Sequence, residues 1–106
     1  MSFPISAGLL DAVVLSVLEM EDAYGYRITQ QVRSKLNVSE STLYPVLRQL
    51  EKNGDLTVYD RAFDGRNRRY YAITPMGQQQ LAEYRRDWHQ YRNGIEALLF
   101  AGGKKE

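Results

Sequence analysis

A chain of 106 residues, 43% of them hydrophobic, has room for one domain with a small core. Its formal net charge is only +1, so any basic surface must come from where the cations stand rather than from their total. Cysteine is absent, which rules out disulfides and thiolate metal sites and fits a reducing compartment. The opening Met1-Ser2-Phe3-Pro4 shows no secretory pattern. Residues 9–18 are too few for a bilayer span and include Asp11 and Ser16. The chain reads as a soluble, cytoplasmic protein with no membrane partner.

Residues 5–20 carry Leu9, Leu10, Val13, Val14, Val17 and Leu18 at helical spacings. The apolar arc is broad, as for a helix covered on more than one side, by its own domain or by a second chain. Asp22 is a candidate N-cap for a second helix over residues 23–35, with Tyr24, Ile28 and Val32 as its stripe. Gly25 near its start permits close approach of another backbone. After Leu36-Asn37-Val38 comes a third helix, for which Ser39 and Ser41 are both N-cap candidates; Asn37 and Glu40 have capping-box spacing. Pro45 favours the start at Ser41, which leaves it at the edge of the first turn. Leu43, Val46, Leu47 and Leu50 form the buried stripe. Ser41, Thr42, Tyr44, Pro45, Arg48 and Lys52 lie outside it. Small hydroxyls, an aromatic and then cations suit a helix entering the DNA major groove, although an ordinary surface helix also has a polar outer face. Asn53-Gly54 ends it.

Residues 56–62 and 68–74 alternate with strand periodicity, and Asp64-Gly65 within the intervening residues 63–67 marks a hairpin. Arg61, Arg66, Arg68 and Arg69 make this the densest cationic cluster in the chain. The expected fold is mostly α with a small β-hairpin: a winged helix-turn-helix over residues 1–74, whose wing arginines contact phosphates or the minor groove. The blander alternative is a solvated hairpin with arginines guarding its edge.

Thr74-Pro75 opens the last helix, threonine at the N-cap and proline at N1. Gly77, Leu81, Tyr84, Trp88, Tyr91, Ile95 and Leu98 then recur at spacings of four and three, a heptad seam. Residues 75–100 would span about 39 Å at 1.5 Å per residue. So long a stripe exceeds one small body, which points to a two-fold dimer with Leu81, Tyr84, Trp88, Tyr91, Ile95 and Leu98 at the interface. Gly94 is a weak point or a close-contact point of the seam. Residues 101–106 read as a disordered tail.

Enzymatic chemistry finds no footing. His89 is the only histidine and lacks a triad-type partner, no zinc set can be assembled, and Gly54 and Gly65 stand alone. Neither cofactor nor metal is expected. Asp60 and Asp64 read as turn formers. The competing non-enzymatic reading is a winged-helix module for protein–protein association without DNA binding.

Taken together, Y-G-Y at 24–26, S-T-L-Y-P-V-L-R-Q-L-E at 41–51, G-D-L at 54–56, G-R-N-R-R-Y-Y-A-I-T at 65–74 and P-M-G at 75–77 resemble the PadR family of bacterial transcriptional regulators. The likeness covers about residues 9–99. It implies a winged-helix domain, one long C-terminal dimerisation helix as in the short subfamily, and repression of a nearby operon. Family members bind inverted-repeat operators, often of ATGT/ACAT type, and many are released by phenolic acids or planar aromatic drugs. By position, the resemblance implies that Ser41, Thr42, Tyr44 and Arg48 face the groove. Tyr24 and Tyr26 would serve packing and phosphate contacts, and Arg66, Arg68 and Arg69 would form the wing. Family wings often read G-R-P-R-K; here Asn67 replaces the proline and Arg69 the lysine, so the charge survives on a less rigid loop. Trp88, with Tyr84 and Tyr91, would stand at a dimer interface that in some members also walls an aromatic effector pocket. Plain interface packing is the simpler role for these aromatics.

Overall fold

The computed structural model describes residues 5–103; the opening tetrapeptide and residues 104–106 of the expected tail lie outside the described residues. Helix α1 (Ala7–Met20) starts at Ser6, whose hydroxyl accepts the Leu9 N–H at 3.2 Å. A two-residue strand β1 (Ala23–Tyr24) leads directly into α2 (Gly25–Arg33). Helix α3 (Glu40–Lys52), strands β2 (Leu56–Phe63) and β3 (Arg66–Ile73), helix α4 (Pro75–Leu99) and a 3-10 turn (Ala101–Gly103) follow. The sheet is therefore three-stranded, antiparallel, in the order β1-β3-β2, rather than a bare hairpin.

Four local expectations need correction. Asp22 does not cap the second helix: Ala23 and Tyr24 are extended, paired with Tyr71 and Tyr70, and Tyr24 is the N-cap residue. Asp22 instead accepts the Tyr59 hydroxyl at 2.7 Å. The third helix starts at Ser39, not Ser41; Ser39 Oγ accepts the Thr42 N–H at 3.2 Å and lies 3.0 and 2.9 Å from the Ser41 and Thr42 hydroxyls. Pro45 thus sits deeper than its missing N–H would favour, and the hydroxyl cluster at the cap offsets that loss. The wing turn is two residues, not five: Asp64 (φ 53°) and Gly65 (φ 77°) both take positive φ, the geometry that matches hairpin twist, with Phe63 paired to Arg66.

The fourth concerns the long helix. Its seam divides between two environments. Gly77 and Leu81 are buried inside the protomer, Leu81 at 1% exposure among the core residues of α1, α2 and α3, so Leu81 is not available to a partner chain. Tyr84 is half-buried, its hydroxyl 3.5 Å from Asp11 of α1. Arg85 adds two contacts to Glu19, at 2.9 and 3.3 Å, fixing α4 along α1. Beyond this point α4 leaves the body. Trp88, Tyr91, Ile95 and Leu98 are exposed, and the molecule measures 65 × 30 × 20 Å. A heptad pattern states only that a helix packs on something; the domain's own α1 takes the first repeat.

The junction of α3, β2 and α4 is tightly knit. Gly54 (φ 88°) terminates α3, the Asp55 N–H reaching the Leu50 carbonyl at 2.9 Å and the Gly54 N–H the Glu51 carbonyl at 3.0 Å. The Thr74 N–H donates to the Asp55 carbonyl at 3.0 Å, and Thr74 Oγ1 donates to Gly54 O at 2.7 Å while accepting the Gly77 N–H at 3.0 Å. Within this junction the Asp55 side chain is buried, and its Oδ1 has no hydrogen-bond partner among the described residues. Burial raises its pKa. Asp11 is raised too, by burial first and by the charge of Asp55, against the opposing Tyr84 hydrogen bond. A carboxyl raised on folding leaves the native state undisturbed below the unfolded value of about 3.9, and destabilises it increasingly as pH climbs through the folded value. Asp55→Asn is therefore expected to raise Tm at pH 7, with the gain shrinking towards pH 3. Thermal melts across that range check it; a gain that grows on acidification is the contrary result.

Candidate nucleic-acid interface

The recognition segment is held from beneath. Leu43, Leu47 and Leu50 are fully buried, which fixes the rotation of α3 and leaves Ser41, Thr42 and Arg48 exposed on its outer side. Tyr44 behaves differently from these. It is half-buried, and its ring lies across the start of α2, so close that a Cβ on Gly25 would stand 2.9 Å from Tyr44 Cε1. The close approach anticipated at Gly25 is thus made by a ring rather than by backbone.

The wing faces α3 across a cleft lined by Tyr24, Gly25, Tyr26, Tyr44, Arg68, Arg69 and Tyr71. Its tyrosines come from four elements: Tyr24 from β1, Tyr26 from α2, Tyr44 from α3 and Tyr71 from β3. Tyr26 is exposed, and its hydroxyl accepts Gln30 Nε2 at 3.0 Å. Burial raises the pKa of the Tyr71 hydroxyl, as does the charge of Glu51, against the opposing charges of Arg69 on β3 and Arg48 on α3. Arg68 and Arg69 of the wing line this cleft, and Arg48 is exposed on the outer side of α3. The described ion pairs join Arg27 to Glu21, Arg33 to Glu40, Arg85 to Glu19 and Arg92 to Glu96; among the described residues none involves Arg48, Arg61, Arg66, Arg68 or Arg69. Cations outside any described ion pair, beside a groove of hydroxyls, suit phosphate.

The four wing arginines are not equivalent. Arg66 and Arg69 are exposed, whereas Arg68 is half-buried over the rings of Tyr24 and Phe63, and Arg61 lies over Tyr70. Tyr59, Tyr70 and Tyr24 continue this layer, with ring centroids 5.7 and 5.6 Å apart. The contribution of Phe63 escapes a sequence reading that leaves residues 63–67 to the turn, whereas Phe63 belongs to β2 and pairs with Arg66.

A second surface lies between α1 and α4. Leu9, Val13, Leu81, Tyr84 and Trp88 line a mostly apolar groove there, and Tyr91 borders an adjoining hollow. The Trp88 and Tyr91 rings are 6.3 Å apart. The three aromatics proposed from sequence as effector contacts all border that hollow. No helix among the described residues is long and apolar enough to cross a membrane.

Helix-turn-helix, basic hairpin and cation-lined cleft define a winged-helix DNA-binding regulator. Residues 14–83 match the model of the Transcriptional regulator PadR-like family, and the chain belongs to that family. A crystal structure from Streptococcus mutans superposes with a TM-score of 0.87 at 35% identity, covering 100% of this chain and 99% of the other. A PadR family transcription regulator from hypervirulent Clostridium difficile gives 0.79 at 29% identity over 85% and 97%. A transcriptional regulator of Mycobacterium tuberculosis is 44% identical over 66 residues, 61% of this chain and 62% of that protein.

Proposed function

We propose that the protein is a homodimeric repressor that binds an inverted-repeat operator, of ATGT/ACAT type, upstream of a nearby operon. In this reading Ser41, Thr42 and Arg48 meet base edges and phosphates of the major groove. Tyr24, Tyr26 and Tyr44 serve the backbone that crosses the cleft, and Arg66, Arg68 and Arg69 hold the neighbouring phosphates. The observation that carries it is the pair of wing arginines, Arg68 and Arg69, lining the tyrosine-walled cleft opposite α3, with Arg48 exposed on that helix and none of the three in a described ion pair. A two-fold axis through the free half of α4, involving Tyr84, Trp88, Tyr91, Ile95 and Leu98, places two such clefts one helical turn apart or a small multiple of it. A planar aromatic or phenolic effector, seated beside Trp88, Tyr84 and Tyr91, would release the operator by changing that spacing.

Polarisation titration with labelled duplex from upstream of the gene tests the reading. With roughly six phosphates neutralised per dimer, log K falls against log salt with slope about −5. Arg48→Ala is expected to weaken operator binding roughly thirtyfold, at about 1 kcal/mol per half-site, and to leave the dimer intact. Unchanged affinity removes Arg48 from the interface. Absence of any salt-dependent DNA affinity favours a protein-association module instead. Fluorescence of the single tryptophan, with phenolic acids and cationic aromatics as probes, tests the effector.

A further inference from the structure

Phe63 is 53% exposed at the end of β2, where its ring contributes nothing to the core. An aromatic so placed at a hairpin tip invites a question about what it holds. The guanidinium carbon of Arg68 lies 4.9 Å from the Phe63 ring centroid and 4.5 Å from that of Tyr24. Strand order explains the grouping. β3 is central, Tyr24 belongs to β1 on one side and Phe63 to β2 on the other. Tyr24 pairs with Tyr70 and Phe63 with Arg66, so alternation along β3 puts both rings on the face that carries Arg68.

A guanidinium flanked by ring faces is held flat by its interaction with their π-electrons, and its N–H groups remain available at its edge. Arg68 also borders the cleft between the wing and α3, and among the described residues it is in no ion pair. We infer that Phe63 is a positioning residue for DNA binding: together with Tyr24 it clamps Arg68 edge-outward over the cleft, so that this cation meets a backbone phosphate already ordered. Arg66 and Arg69, exposed and without ring partners in the clamp, order only on contact. The inference rests on the DNA-binding reading above and adds a residue that reading does not contain.

The full chain is titrated against the same upstream duplex at several salt concentrations, with parent, Phe63→Leu, Phe63→Tyr, Arg68→Ala and the Phe63→Leu/Arg68→Ala double variant. Leucine keeps bulk and loses the ring face; tyrosine keeps the face. Phe63→Leu is expected to weaken binding about threefold per wing, roughly tenfold for a dimer, with an unchanged salt slope, and Phe63→Tyr to match the parent. Arg68→Ala weakens binding and flattens the slope by about one per wing. The double variant binds no more weakly than Arg68→Ala alone, because the ring acts only through the cation. Parent-like affinity of Phe63→Leu beside a weakened Arg68→Ala overturns the clamp and leaves DNA binding by the wing standing. Additive losses in the double variant overturn it as well, since Phe63 then acts by itself. Parent-like binding by Arg68→Ala overturns both the clamp and the place of Arg68 in the interface.

Discussion

Gly77→Ala is expected to cost about 3 kcal/mol of folding stability, a fall in Tm of roughly 10–20 °C. Helix propensity alone predicts the reverse, a gain of about 1 kcal/mol for replacing glycine in a helix. Packing decides the sign. A Cβ at position 77 would stand 2.3 Å from the Asp55 carbonyl oxygen and 2.8 Å from Ile73 Cγ1. The carbonyl cannot yield, because it accepts the Thr74 N–H at 3.0 Å and belongs to the backbone that ends α3 and opens β2. Relief would have to come from lifting the first turn of α4 away, at the expense of the Thr74 cap and the burial of Leu81. Gly94→Ala is the comparison: nothing lies within 4 Å of its Cβ position, so the propensity gain is expected to appear in full if no partner helix crosses there. Thermal melts of the two variants read opposite signs. Equal melting of Gly77→Ala and parent would show that the junction is looser than its distances say.

The same glycine shows what the sequence could and could not convey. Helices α1, α3 and α4 follow from apolar spacing, and Asn53-Gly54, Asp64-Gly65 and Thr74-Pro75 mark the end of α3, the hairpin turn and the start of α4, because each has a backbone chemistry that only a stop, a tight turn or a cap satisfies. Gly77 fits the heptad spacing equally well, yet it serves the protomer's own body. Spacing defines a face and leaves its partner unnamed. For the same reason Leu81 is assigned to a partner chain by pattern and to the core by structure. Ser39 and Ser41 were separable only by the energy of Pro45, where the local penalty pointed one way and the hydroxyl cluster around Ser39 the other. The cationic wing is plain in the sequence as four arginines. That Arg61 and Arg68 lie over rings depends on the register of β2 on β3 and, for the Tyr24 ring, on β1, which two residues cannot announce.

Ile95→Glu is expected to convert a dimer into single chains and to lower operator affinity about a thousandfold. The exposed half of α4 motivates it. Trp88, Tyr91, Ile95 and Leu98 continue the seam past the point where α1 stops covering it, and each is 38% exposed or more. An apolar stripe of that length is what a two-fold helix pair buries, and a carboxylate in its middle would be desolvated without a cation to meet it. The loss to DNA binding follows from linkage between half-sites. Two clefts on one rigid dimer bind with a second step that is effectively intramolecular, a gain of about 10²–10⁴ that single chains forfeit even though every residue of the cleft is intact. Asn93→Glu supplies the control, adding the same charge on the opposite side of α4 and sharing any electrostatic penalty towards DNA. Sedimentation and polarisation titration of the two variants separate the effects. Dimerisation and operator affinity should fall together in Ile95→Glu and persist in Asn93→Glu. A monomeric Ile95→Glu that still binds the operator at parental strength would break the link between the bare half of α4 and DNA recognition, leaving each cleft to act alone.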